Sequence, residues 1–261
     1  MAADFERLIA EAESHPFSGW DFAHIHGRYV EGKPSWTFAQ EARNVIQQSQ
    51  SMLDMATGGG EFLSSLSPLP RTCCTTEGYP PNSRIALERL RPIGIDVVFT
   101  FWDDNGVEPR RGALPFRTEA FDFVMDRHES FLPGEVVRVL THGGIFLTQQ
   151  VGSLNNPELR EFFGRKPENL LEGGVLWNLS RAVEEIESAG MKVLQKKEEK
   201  MASKFLDIGA VVYYLKAIPW EVPGFDTRTY SQQLFELHRR IVETGSFDVT
   251  TTRFYAKALK E

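Results

Sequence analysis

The stretch that most constrains this chain is Ser51-Met52-Leu53-Asp54-Met55-Ala56-Thr57-Gly58-Gly59-Gly60-Glu61-Phe62-Leu63. A short apolar run ends in an acid, passes into consecutive glycines and resumes as an apolar segment opened by glutamate. This pattern predicts a strand, a tight turn and a helix start. Glycine permits positive φ and lets a ligand lie against the main chain, where the free N–H groups of a helix start serve as donors. A glycine-rich surface turn would read the same way, so the stretch alone leaves ligand loop and plain turn both open.

Alternation of strand and helix patterns runs on either side. Helices are expected over 1–14 (Phe5, Leu8, Ile9, Ala12) and 37–50, with strands at Thr72–Glu77, Ile95–Phe101, Phe121–Asp126 and Ile145–Val151. Helices should follow Asn82 or Ser83 and cover 133–140 between them. Beyond 180 come a helix over 181–189, a strand over 191–199, a charged amphipathic helix near 230–243 and a strand from Val249 to Leu259. Asp207–Ile218 suits helix or strand, and a helix is expected because a strand precedes it. Such alternation with short connections predicts an α/β, doubly wound, mostly parallel sheet of seven strands. One domain of 261 residues is expected: an N-terminal helical cap (1–45), a core (46–151), an inserted lid (152–180) and the C-terminal half of the sheet (181–261).

In such sheets ligands bind beyond the carboxyl ends of the strands. Asp54, Glu77, Asp103, Asp104 and Asp126 all fall at such ends. Glu77, at the end of the strand after the glycines, suits the hydroxyls of a ribose; Asp103 or Asp104 suits an adenine amino group. Each acid taken singly reads equally as a capped turn. A nicotinamide or flavin oxidoreductase is disfavoured, because Asp54 to Gly60 has an acid in the first glycine region of the dinucleotide fingerprint and no later spaced glycine.

Three stretches in this order resemble class I S-adenosylmethionine-dependent methyltransferases, of the type 11 group that includes the quinone-biosynthesis enzymes. They are Met52–Gly60, Leu114-Pro115-Phe116-Arg117-Thr118-Glu119-Ala120-Phe121-Asp122-Phe123-Val124, and Glu135-Val136-Val137-Arg138-Val139-Leu140-Thr141-His142-Gly143-Gly144-Ile145-Phe146. The resemblance spans residues 45–150 and implies a Rossmann-like methyltransferase fold with S-adenosylmethionine as cofactor and S-adenosylhomocysteine as product. It implies that Asp54, Gly58 and Gly60 cradle the methionine part, with Ala56 and Thr57 of the same loop also counted as cofactor-binding. Glu77 would hold the ribose, flanked by Gly78 and Tyr79, and Asp103 or Asp104 would meet adenine. Ala56 stands where the family has its first glycine. His128, just after the fourth strand, is the candidate general base.

A small-molecule acceptor is expected. Asp207–Leu215 with Pro219-Trp220 resembles ribosomal RNA guanine methyltransferases, whose cysteine zinc module has no counterpart here, and the net charge of −7 disfavours a nucleic-acid partner without excluding it. A non-catalytic methyltransferase-like subunit is the remaining alternative. His24 and His26 lack further ligands at metal-binding spacing, so no metal is expected. Cys73 and Cys74 read as buried strand residues. Trp20, Tyr29 and Trp36 are candidates for a cap over the site. With acids at the N-terminus and no apolar run near ~20 residues, the chain is expected to be cytoplasmic and free of the membrane. Its oligomeric state is left open.

Overall fold

The computed structural model describes residues 2–17, 22–100, 113–165 and 176–261. The chain divides into two compact units. One comprises Ser35–Gly152, Trp177–Glu198 and Arg253–Glu261; the other comprises Met1–Pro34, Ser153–Leu176 and Glu199–Thr252. Among the described residues, no helix is long and apolar enough to cross a membrane.

The first unit holds the glycine stretch. Its parallel strands are β2 (Ser51–Met55), β3 (Thr72–Glu77), β4 (Asp96–Phe99), β5 (Phe121–Arg127) and β6 (Leu140–Val151). Leu53 lies opposite both Cys74 and Val124, and Met55 opposite Asp126. Alternating side chains enter two different cores, which is what makes the sheet doubly wound. Met52, Phe123, Met125 and Leu147 pack with α2 (Phe38–Ile46), α3 (Glu61–Ser65) and α4 (Pro80–Leu90). Leu53, Val124 and Phe146 pack instead with α5 (Pro133–Val139) and α7 (Leu179–Ser188). Each such aliphatic or aromatic side chain contributes about 1.5–3 kcal/mol through burial. Cys73 and Cys74 are free thiols and belong to opposite cores.

Register in this unit is pinned at the amino ends of the strands. The Asp122 carboxylate accepts from the amides of Gln50 (2.8 Å) and Ser51 (3.0 Å), while the Ser51 hydroxyl accepts from the Asp122 amide (3.0 Å). That reciprocal pair sets β2 against β5, so Asp54 and Asp126 arrive together at the carboxyl ends. Strand β6 starts five residues earlier than the sequence suggests. Leu140 already pairs with Phe121, and a register irregularity between Phe121 and Phe123 absorbs Gly143, at φ +77°, inside the strand. The last strand, β8 (Phe247–Lys260), runs antiparallel to β6, from Ile145 opposite Leu259 to Val151 opposite Arg253.

In the second unit, α1 (Ala2–Ser14), α6 (Pro157–Phe162), α8 (Ile208–Ala217) and α9 (Ser231–Thr244) share one core, in which Leu8, Leu159, Val212 and Leu237 are buried. Residues 153–165 of the expected lid segment are part of it, through Leu159 and Phe163. Here the two-residue β1 (Tyr29–Val30) pairs antiparallel with Phe205 and Lys204 of β7 (Met191–Phe205). The sheet therefore has eight strands, in the order β1-β7-β8-β6-β5-β2-β3-β4, where the sequence predicts seven. So short a strand leaves no alternation to read; only its pairing creates it.

Asp207–Ile218 is indeed helical. Every residue of α8 except Lys216 is buried, which is why its sequence shows no one-sided periodicity. Asp207 caps it by accepting from the Ala210 amide at 2.9 Å and pairs with Arg28 through two bonds of 2.7 and 2.8 Å. Arg28 also reaches Glu11 on α1 at 2.7 Å. Replacing Asp207 by alanine removes the cap and half of the ion pair. Chemical denaturation should show a loss of about 2 kcal/mol, and about half of that for Asp207→Asn, which keeps a capping oxygen.

Candidate cofactor and acceptor site

The glycine stretch turns sharply once β2 ends. Ala56, Gly58 and Gly60 all take positive φ, at +48°, +65° and +79°. Gly60 is the left-handed residue from which α3 starts, and a β-carbon there would lie 2.8 Å from the side chain of Leu90. Ala56 holds a conformation that suits glycine, at a cost of about 1 kcal/mol. Strand β3 supports the turn: the Thr76 hydroxyl accepts from the Ala56 amide and its carbonyl from the Thr57 amide, both at 3.0 Å.

Glu77 closes the arrangement. One carboxylate oxygen accepts from the Gly58 amide and the other from the Tyr79 amide, each at 2.7 Å. The side chain is buried, and burial raises its pKa against these amides, and that of Gly78, which pull it down. The sequence-predicted Asp54, Ala56, Thr57, Gly58, Gly60, Glu77, Gly78 and Tyr79 are thus brought together by two adjacent strand ends. Tyr79 exposes 57% of its surface, so it is available to flank a ligand. Asp103 and Asp104, like Trp20, lie outside the described residues.

Two further acids are buried at the strand ends. Desolvation pushes Asp54 up to about 7; the Thr57 and Thr75 hydroxyls and the charge of Arg127 oppose the shift, and Glu77 adds to it. The Thr57 hydroxyl draws on Asp54 without completing a hydrogen bond of good geometry, and its oxygen is buried without a partner. Asp126 is fully buried. It accepts from the Glu129 amide (3.2 Å), the Thr148 hydroxyl (3.2 Å) and Gln150 Nε2 (2.9 Å), and burial still holds its pKa well above the carboxylate range.

His128 follows β5 in the left-handed conformation, φ +71°, with its amide donating to the Gln149 carbonyl at 2.8 Å. Gln149 Nε2 lies 3.3 Å from His128 Nε2, and Gln149 Oε1 accepts from the Trp36 indole at 2.9 Å. Trp36 stands against Tyr255, with ring centroids 5.1 Å apart. Tyr29, by contrast, packs on Phe205 and Tyr214 in the core of the other unit. His24 stacks on His15 at 3.8 Å, and among the described residues no group of three potential metal ligands forms. Thr148, Gln149 and Gln150 escape a reading based on charge and glycine. Their signal is three polar residues in succession near the end of an otherwise apolar strand.

The folded pKa of Asp54 lies above its ordinary value of 3.8, so the folded state holds an extra proton between about 3.8 and about 7. Stability from this group is complete below that window and falls as pH rises across it. Equilibrium unfolding from pH 4 to pH 8 should show that decline, with a shallower slope in Asp54→Asn.

No family model matches the sequence, and no curated protein matches it. Solved structures do match the fold. A protein assigned as a methyltransferase from Bacillus halodurans is 16% identical, with a TM-score of 0.57 over 85% of this chain and 98% of that one. The YcgJ protein of Bacillus subtilis is 16% identical, with a TM-score of 0.54 over 86% and 98%. A protein assigned as a sarcosine dimethylglycine methyltransferase from Galdieria sulphuraria is 14% identical, with a TM-score of 0.51 over 86% and 84%. The chain has the fold of the class I S-adenosylmethionine-dependent methyltransferases.

Proposed function

We propose that this protein transfers a methyl group from S-adenosylmethionine to a small-molecule acceptor. The observation that carries the reading is the pair of hydrogen bonds that the Glu77 carboxylate accepts from the Gly58 and Tyr79 amides, which puts an acid and a glycine loop at one point beyond the strands. The residues present fit the cofactor. Positive φ at Ala56, Gly58 and Gly60 keeps the loop tight, the buried Thr57 hydroxyl has bonding capacity in hand, and Asp54 offers a carboxylate to an ammonium. Glu77 would hold the ribose hydroxyls, with Gly78 and Tyr79 beside it.

When bound, the cofactor supplies an electrophilic methyl group on a sulfonium. The protein's part is to align an acceptor with that group and to exclude water, and such alignment is a large share of the catalysis of a simple displacement. The buried ends of β2, β5 and β6 would provide a site of this kind.

Calorimetric titration with S-adenosylhomocysteine tests the reading. The wild type should bind, and Glu77→Ala should bind at least ~10-fold more weakly, a loss of about 1.4 kcal/mol. Absence of binding by the wild type, or equal binding by the folded variant, would contradict it.

A further inference from the structure

Helix α1 buries Phe5, Leu8 and Ala12 along its length, and polar contacts tie down its C-terminal end. Lys216, the one residue of α8 that is not buried, donates to the Ala12 and Glu13 carbonyls, both at 2.7 Å. Carbonyls in the last turn of a helix have no partner within it, so a lysine placed there caps the helix. The Arg28 guanidinium then links Glu11 of α1 to Asp207, the cap of α8.

Two histidines meet at the same end. His15 directly follows α1, its amide donating to the Glu11 carbonyl at 3.1 Å, and His24 lies in the short helical turn Ala23–Ile25. Their rings stack with centroids 3.8 Å apart and planes 13° from parallel. Both also lie against Tyr213 of α8, at 5.7 and 4.8 Å. His24 Nε2 is buried and has no hydrogen-bond partner. Glu11 Oε1, at 3.7 Å, is beyond bonding distance and already accepts from Arg28 at 2.7 Å. Asp207 is likewise engaged, by Arg28 and by the Ala210 amide.

This arrangement suits a neutral His24. In an imidazolium both nitrogens carry protons, and here Nε2–H would have no acceptor within bonding distance while the ring lay face to face with a second histidine. Burial opposes charge on His24 most, followed by His15 and Arg28; Glu11 and Asp207 favour it, and the balance leaves its pKa below the ordinary 6.5. The contribution of this group to stability is therefore complete above 6.5 and falls away as pH drops from there through the folded value, opposite in sign to that of Asp54.

We infer that the His15–His24 stack is an acid-sensitive latch, which holds the C-terminal turn of α1 on α8 while His24 is neutral and releases it when His24 takes a proton. Release uncovers the Tyr213 side of α8, a helix otherwise buried along its whole length apart from Lys216. The inference is independent of the methyltransferase reading, because every group in it belongs to the unit that contains α1 and α8.

The test is hydrogen–deuterium exchange of the full chain at about pH 7.5, 6.5 and 5.5, corrected for intrinsic rates, with the His24 ring followed by NMR. Opening at the amides of 11–15 should increase by up to ~10-fold per pH unit below the ordinary histidine value, because release takes up one proton. The amides of α9 should not follow, and the His24 ring should titrate below 6.5. His24→Phe keeps a flat ring on His15 but cannot be protonated, so its exchange at 11–15 should lose the pH dependence. His15→Phe keeps the stack and removes one charge that opposes His24, so release should move to lower pH; this variant decides the matter if His24→Phe does not fold. Unchanged exchange at 11–15 across the range, a pH response retained in His24→Phe, no shift in His15→Phe, or an equal loss of protection over α9 would overturn the inference.

Discussion

The glycine loop depends on the bond between the Glu77 carboxylate and the Gly58 amide. A turn containing three positive-φ residues has few intrinsic hydrogen bonds, and its amides would otherwise face solvent or a buried void. Glu77 gives one of them an ionised partner at 2.7 Å, a contact worth about 1.5–3 kcal/mol to a charged acceptor. Its second oxygen holds the Tyr79 amide, so the same side chain ties the β2–α3 turn to the β3–α4 turn. Thr76 adds two further bonds to the loop from the same strand. The loop's shape is therefore dictated by β3 more than by its own sequence, which is how Ala56 can occupy a conformation suited to glycine.

Around that tie the strand ends gather groups that are costly to bury. Asp54 and Asp126 come together because the Asp122–Ser51 pair sets β2 against β5 at the far end of the strands. Desolvation raises the pKa of both; Glu77 raises that of Asp54 further, and Glu129 and Asp54 raise that of Asp126. Asp126 is supplied with donors from β6 and from the turn after β5, whereas Asp54 is eased by the Thr57 and Thr75 hydroxyls and the charge of Arg127.

Much of this was legible in the sequence, for identifiable reasons. Met52, Leu53, Phe123 and Val124 carry the two-faced apolar pattern of a covered parallel strand, so the α/β class and the place of the glycine loop could be read directly. Glu77 could be found because strand-end position alone defines it. Other features depend on tertiary pairing. The strand at Tyr29–Val30 exists only through Phe205 and Lys204, and the early start of β6 needs a left-handed glycine within a strand. Gln149 carries no charge and no motif; its significance appears only when Trp36, distant in sequence, supplies a donor-only group to one end of its carboxamide.

The most direct test of the account is hydrogen–deuterium exchange with and without saturating S-adenosylhomocysteine. The account predicts strong added protection at the amides of 56–60 and 77–79, with little change over α8 and α9 in the other unit. Protection confined to other segments, or none at all despite saturation, would contradict it.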